Sequence, residues 1–235
     1  MTFLHVFLRT YLVGAAFNMR GLQNVGFMYA IDPALTAIHK SPKALHAARL
    51  RYVRHYNCHP YWTPLVAGMF LHIEAEIANS RMSPEAFLKI KDATVNTLSA
   101  LGDSVFGGTL LAMWALAMAS MVITGYGAFA LAASIALFLS LQVFKLGIFV
   151  AGVRLGFPAI LHIRRWNLID WGDRLKIANA FLLLLFLVLC MPPAVHPVLW
   201  MLTVLCIMVA AYLASRLHIS RALIALAAMI ALLLV

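Results

Sequence analysis

Apolar residues fill the chain in long runs, and the runs differ between its two halves. Between Ser104 and Lys145 no charged residue intervenes, and from Ile177 to Val235 only Arg216 and Arg221 occur. A helix that crosses a bilayer core needs about 20 apolar residues. The runs 104–123, 128–144, 177–191, 198–214 and 219–235 approach that length and predict about five transmembrane helices. Thr124-Gly125-Tyr126-Gly127 reads as the turn between the first two, and Pro192-Pro193 as the stop after the third.

Two apolar segments fit an ordinary span poorly. Residues 60–73 are few, are punctuated by Pro64 and Gly68, and lead directly into His72, Glu74 and Glu76. Residues 146–163 contain Gly147, Gly152, Arg154, Gly156 and Pro158 and have basic residues at both ends. That second segment either re-enters the membrane or lies as an amphipathic helix in the interface plane. Residues 2–19 are apolar but hold His5 and Arg9, which favours an interfacial amphipathic helix over a cleaved signal peptide. Ser41-Pro42 opens a further helix, with Leu45, Ala48, Tyr52 and His55 on one face and Lys43, Arg49, Arg51 and Arg54 on the rest. No internal repeat is visible. The expected fold is an all-α integral membrane protein: N-terminal amphipathic and re-entrant helices over 1–103, a transmembrane hairpin plus interrupted segment over 104–176, and C-terminal transmembrane helices over 177–235.

Composition agrees with the pattern. Of 235 residues, 64% are hydrophobic and 11% charged, whereas a soluble domain carries about a quarter charged and roughly half apolar residues. A soluble enzyme, a disordered tail and a disulfide scaffold are thereby excluded. The formal charge of +10 does not point to nucleic acid, because such binders expose their charge on a polar surface. Basic clusters at Arg20–Arg54, at Arg81, Lys89 and Lys91, and at Arg164, Arg165, Arg174 and Lys176 all fall on one side of the predicted spans. The positive-inside rule puts that side in the cytoplasm.

Candidate chemistry gathers in the N-terminal half, where six of the eight acids lie. Tyr56-Asn57-Cys58-His59-Pro60-Tyr61 joins a basic helix to a short apolar segment. Asn57 and His59 there offer the mixed donors and acceptors that sugar hydroxyls require, or else cap the helix end before Pro60. Glu74 and Glu76 beside an apolar segment must be paired, hydrated or turned to a cavity. Either they serve a polar site, or they form interfacial ion pairs with Arg51, Arg54 or Arg81. Gln23 and Asn24 precede Gly26 in an apolar stretch, where buried amides must find partners. Gly102-Asp103-Ser104 resembles an N-cap at the entry to the first long span. Cys58, Cys190 and Cys206 form no Cys-x-x-Cys pair and no metal spacing. No nucleotide-binding loop and no nucleophile–base arrangement is present, so neither cofactor, metal nor catalytic residue is expected, and an integral-membrane hydrolase has no motif to support it.

In combination these segments resemble the IID membrane component of the mannose/fructose/sorbose-type sugar phosphotransferase system. The stretches that carry the resemblance are Asn18-Met19-Arg20-Gly21-Leu22-Gln23-Asn24-Val25-Gly26-Phe27-Met28-Tyr29-Ala30, Tyr56-Asn57-Cys58-His59-Pro60-Tyr61, Ile73-Glu74 with Ala78-Asn79, and Gly102-Asp103-Ser104-Val105-Phe106. They occur in the family's order and cover about residues 3 to 110. The resemblance implies a bacterial inner-membrane subunit that joins an IIC partner, as a trimer of IIC–IID pairs in the lipid bilayer, to translocate a hexose. Cytoplasmic IIA and IIB domains would relay the phosphate. It also implies that Gln23, Asn24, Asn57, His59 and Glu74 line the sugar site, with Gly26, Pro60, Glu76, Gly102 and Asp103 as motif positions.

The chain departs from the family pattern at several places. Cys58 replaces Thr before the His-Pro pair, Ala75 replaces a second Glu, and residues 94–101 lack the usual Gly and Pro. After Gly-Asp-Ser, Gly107 and Leu111 or its neighbour replace an aromatic residue and an Arg. These departures leave open a second reading, a degenerate member that scaffolds its partner without transporting.

Overall fold

The computed structural model describes residues 2–191 and 195–216, and among these the only regular elements are helices. Helix α1 (Thr2–Arg9) continues as a 3-10 turn over Thr10–Ala16, followed by α2 (Asn24–Ile38), α3 (Pro42–Leu50) and α4 (Thr63–Ala78). Then come α5 (Pro84–Gly102), a π-helical stretch (Asp103–Leu110), α6 (Leu111–Ile123), α7 (Gly127–Leu155), α8 (Pro158–Arg164), α9 (Leu168–Leu189) and α10 (Pro197–Arg216). The chain divides into two compact units, residues 1–182 and 183–235.

Among the described residues two helices are long and apolar enough to cross a membrane: the 40-residue run Pro84–Ile123, which joins α5 and α6 through the π-helical stretch, and the 29-residue α7. The turn at 124–126 separates them as predicted, with Gly125 at φ 86°. The predicted runs 177–191 and 198–214 coincide largely with α9 and α10. The fifth, 219–235, and the Pro192-Pro193 stop lie outside the described residues.

Helix starts follow the local chemistry. Ser41 Oγ accepts from Ala44 N at 3.1 Å, and Ser83 Oγ accepts from Ala86 N at 3.2 Å, each followed by a proline in the first turn. This places the cap of the long helix at Ser83, not at Asp103. With no Gly or Pro in 94–101 nothing ends α5, and Asp103 lies inside a continuous helix. Thr109 Oγ1 accompanies the π-helical stretch, donating to Ser104 O at 2.8 Å and Val105 O at 2.7 Å.

The core of the first unit is built around α4. Leu65, Val66, Ala67, Met69 and Phe70 are fully buried, so this helix is apolar on every side and enclosed by its neighbours. Pro64 stands at its first turn, where the missing N–H costs nothing. Gly68 marks a close crossing and not an interruption. A Cβ on Gly68 would lie 2.5 Å from Phe149 O, and one on Gly152 would lie 2.6 Å from Leu65 O. Reciprocal glycines thus let the backbones of α4 and α7 touch, the small-residue packing characteristic of membrane helices.

The segment 146–163 also differs from expectation. Helix α7 continues through Lys145 to Leu155, because a charge does not end a helix whose side chain finds an enclosed place. The break comes at Gly156, with φ 61°, where a Cβ would lie 2.6 Å from the His72 ring. His72 Nδ1 pairs with Val153 O at 2.9 Å, tying α4 to the end of α7.

The second unit holds the end of α9 and α10. In it Trp200 Nε1 donates to Leu187 O at 2.9 Å, and an apolar groove is lined by Leu184, Val188, Val198, Met201 and Leu205.

Candidate functional site

The loop between α3 and α4 is where the distant motifs meet. Leu22 takes a left-handed conformation (φ 57°) and pairs as isolated bridges with Asn18 and with Tyr56. Gln23 N donates to Tyr56 O at 2.8 Å, and Cys58 N donates to Gln23 Oε1 at 3.1 Å. Asn24 Nδ2 donates to Val53 O, while Asn18 Nδ2 donates to Asn24 Oδ1 at 2.8 Å. The two amides of Gln23-Asn24 therefore clamp the 53–58 loop to the start of α2. Gly26 allows the 3-10 turn onto this helix, since a Cβ there would stand 2.1 Å from Val13 O.

The Gly-Asp-Ser motif reaches the same loop from the other side. A Cβ on Gly102 would lie 2.3 Å from His59 Cβ and 2.8 Å from the Trp62 ring, so only glycine admits this approach. His59 packs against both Tyr61 and Phe106, each ring centroid 5.4 Å away and the two 4.7 Å from each other, and Nδ1 accepts from Tyr61 N at 3.3 Å. Burial lowers the His59 pKa below its usual value, and the charge of Lys145 acts in the same direction against the opposing pull of Asp103. Cys58 is buried, and loss of solvent pushes its thiol up to about 12. It is a neutral packing group at any physiological pH. Asn57 is half-buried, and among the described residues its side-chain amide makes no hydrogen bond.

Two cavities flank this loop. One of about 320 Å³ is mostly apolar, lined by His59 and Tyr61 of the loop, Phe106 and Leu110 of the π-helical stretch, Trp114 of α6 and Phe138 of α7. The other, about 130 Å³, is lined by Thr10, Tyr11, Gln23, Cys58, Thr63 and Lys145, together with small apolar groups. Lys145 is 8% exposed. Its ammonium stands 4.0 Å from the ring centroid of Tyr11 and 5.1 Å from that of Tyr61. Sequence reasoning passed over Lys145. Its signal was nonetheless present, because a lone ionisable residue inside an apolar run marks a functional position.

Glu74 and Glu76 occupy different surroundings. Glu74 is fully buried. Its carboxylate accepts from Arg51 Nε at 2.9 Å, from a second Arg51 nitrogen and from Tyr52 Oη at 2.9 Å, and pairs with His39 Nε2 at 2.8 Å. Glu76 faces Arg81 at 3.2 Å nearer the surface. Ion pairs with Arg51 and Arg81, one of the readings open from the sequence, are present. Pro60 is exposed at the loop tip, and Asp103 is exposed beside His59. Thus Gln23, Asn24, Asn57, His59, Gly102 and Asp103 gather around one loop, whereas Glu74 lies with His39 and Arg51 in a separate buried cluster.

These features define a helical membrane protein whose polar groups are concentrated where two long apolar helices meet a looped N-terminal region. The family model for the IID component of the mannose/fructose/sorbose phosphotransferase system matches residues 1–171, and the chain belongs to that family. It is similar to the fructose permease IID component of Bacillus subtilis strain 168, at 24% identity over 159 residues covering 67% of this chain and 56% of that protein. It is also similar to the mannose-specific EIID component of Escherichia coli K12, at 27% identity over 122 residues covering 51% and 43%. The chain spans about half the length of the curated relatives it matches. Among solved structures, one described as a membrane protein aligns with TM-score 0.75 at 19% identity over 97% of this chain and 93% of that one. A second, the mannose transporter ManYZ in complex with microcin E492, aligns with TM-score 0.54 at 18% identity over the same shares. The fold is therefore that of known membrane transporter chains.

Proposed function

We propose that this chain is the IID subunit of a multi-pass permease in the bacterial inner membrane. It pairs with an IIC subunit to form the channel that binds and translocates a hexose while IIB phosphorylates it. Trimers of IIC–IID pairs, fed by IIA and IIB, complete the assembly. The observation that carries the reading is the meeting of Gln23, Asn57, His59 and Gly102 at one loop beside a span holding an enclosed lysine. Of the five candidate sugar contacts, Gln23 and His59 line cavities, and the Asn57 amide makes no hydrogen bond among the described residues. Asn24 and Glu74 are satisfied by their own chain and contribute by holding the walls. No residue of this chain acts as a catalyst in this scheme. Phosphoryl transfer belongs to the partner domains.

Co-expression with a cognate IIC tests the proposal: a stable complex in mild detergent and sugar uptake by cells carrying all subunits are expected. His59→Ala should then reduce uptake while leaving the complex intact. Absence of co-purification with IIC would overturn the reading.

One observation favours a non-transporting scaffold. Helix α5 runs without a break into the π-helical stretch where the family has Gly and Pro, so the approach to Asp103 is more rigid here. Sugar-dependent protection of the complex, present for a transporter and absent for a scaffold, separates the two.

A further inference from the structure

The ammonium of Lys145 is enclosed, faces a cavity and, among the described residues, lacks an anionic partner. None of the eight carboxylates pairs with it, and five of them are paired elsewhere: Asp32 with Arg49, Glu74 with Arg51, Glu76 with Arg81, Asp92 with Lys91 and Asp173 with Lys176. Cys58 in the cavity wall is held as the neutral thiol by burial. What surrounds the charge is two tyrosine rings. A cation over an aromatic face gains about 0.5–2 kcal/mol, while removing an ion from water costs several kcal/mol. The rings reduce that cost and do not cancel it.

The remaining lining groups present complementary polarity. Thr10 Oγ1 donates to Phe7 O at 2.6 Å, and Thr63 Oγ1 donates to His59 O at 3.3 Å while accepting from Tyr56 Oη at 3.4 Å, so Thr63 keeps one lone pair and Thr10 more for an incoming donor. Gln23 Oε1 is taken by Cys58 N, and among the described residues its NH2 group makes no hydrogen bond. A volume of about 130 Å³ corresponds to on the order of four water molecules. That space admits a carboxylate and the hydroxylated carbons next to it. A neutral hexose would satisfy the hydroxyl and amide groups and leave the ammonium unpaired.

We infer that Lys145 selects for substrate charge: the cavity receives the carboxylate of a sugar acid, a hexuronate or hexonate, with Gln23, Thr10 and Thr63 meeting its hydroxyls. This inference rests on the reading of the chain as a sugar-transport subunit and names the substrate class for that site.

The lining residues named belong to this chain, so binding can be measured on it in nanodiscs as well as on its complex with IIC. D-glucuronate, D-gluconate, D-glucose and inorganic phosphate are titrated by calorimetry. At least one of the two sugar acids should bind at least tenfold more tightly than glucose. Lys145→Gln should abolish that preference, and Lys145→Arg should restore part of it. Equal affinity of the wild-type protein for glucose and both acids would overturn the inference without any variant. So would tight phosphate binding with no gain from the sugar ring, which marks a simple anion site. If Lys145→Gln instead releases IIC and no sugar acid binds the chain alone, the lysine pairs with an acidic side chain of the partner, and the inference also fails. Failure of the wild-type chain to associate with IIC at all tells against the transport reading, a separate measurement from charge preference.

Discussion

Arg51 and Glu74 form a two-pronged ion pair with side chains 8% and 0% exposed, joining the residues after α3 to the middle of α4. His39 and Tyr52 complete the coordination of the carboxylate, so α2, α3 and α4 converge on a single buried group. Removing one member of such a pair leaves an uncompensated charge and costs about 3–5 kcal/mol. Glu74→Ala is accordingly expected to lower the stability of the protein by about that amount in detergent denaturation. Arg51→Met combined with Glu74→Gln should cost less than the two changes added together, with a coupling of about 1–3 kcal/mol. Additive losses would show that the pair does not act as a unit.

The glycine crossing makes a second prediction. Gly68→Ala and Gly152→Ala each place a methyl within 2.6 Å of a backbone oxygen on the opposing helix. Neither backbone can yield locally, so each change should destabilise by about 1–3 kcal/mol. Gly147 on the same helix meets nothing within 4 Å, and Gly147→Ala should be neutral or stabilising by up to about 1 kcal/mol. Thermal unfolding in detergent compares the three.

Cys58 should resist modification. With a thiol 1% exposed and raised to about 12, it offers neither access nor thiolate. In a chain with Cys190 and Cys206 changed to Ala, maleimide at about pH 8 should label the protein only after denaturation. Rapid labelling of the folded protein would show that the loop opens.

His59 supplies a pH dependence with a definite sign. Its folded-state pKa lies below the ordinary 6.5, so the unfolded chain takes up the proton first as pH falls. Stability should therefore decline as pH drops through about 6.5 and level off below the folded-state value. His59→Gln removes that group, and its unfolding free energy should vary less over the same range. Identical pH profiles would show that His59 titrates normally.

Much of the fold was legible because it depends on local composition. The apolar runs announced α6 and α7, Thr124-Gly125 announced the turn between them, and Ser41-Pro42 announced α3. Legibility failed where an intrinsic signal has two physical meanings. Gly68 and Gly152 read as helix interruptions, yet each serves the contact of one helix with another. Lys145 read as the end of a span, yet the helix carries it through between two tyrosine rings. Gly102-Asp103-Ser104 read as a cap, yet with no breaker before it the helix simply continues, and Gly102 serves His59 instead.

For the candidate residues the division is similar. Gln23, Asn24, Asn57, His59 and Glu74 stood out as polar groups in apolar surroundings, which identifies positions that must find partners without naming those partners. The amide clamp from Gln23 and Asn24 to the 53–58 loop spans some thirty residues, and the Tyr11–Lys145 contact spans far more. By itself the sequence determined the solvent, the helical class and the family, because apolar content, periodicity and short motifs are properties of neighbouring residues. Only the tertiary structure decided that Glu74 is an ion-pair centre and Lys145 an unpaired charge at a cavity, because burial and pairing depend on which distant segments the chain brings together.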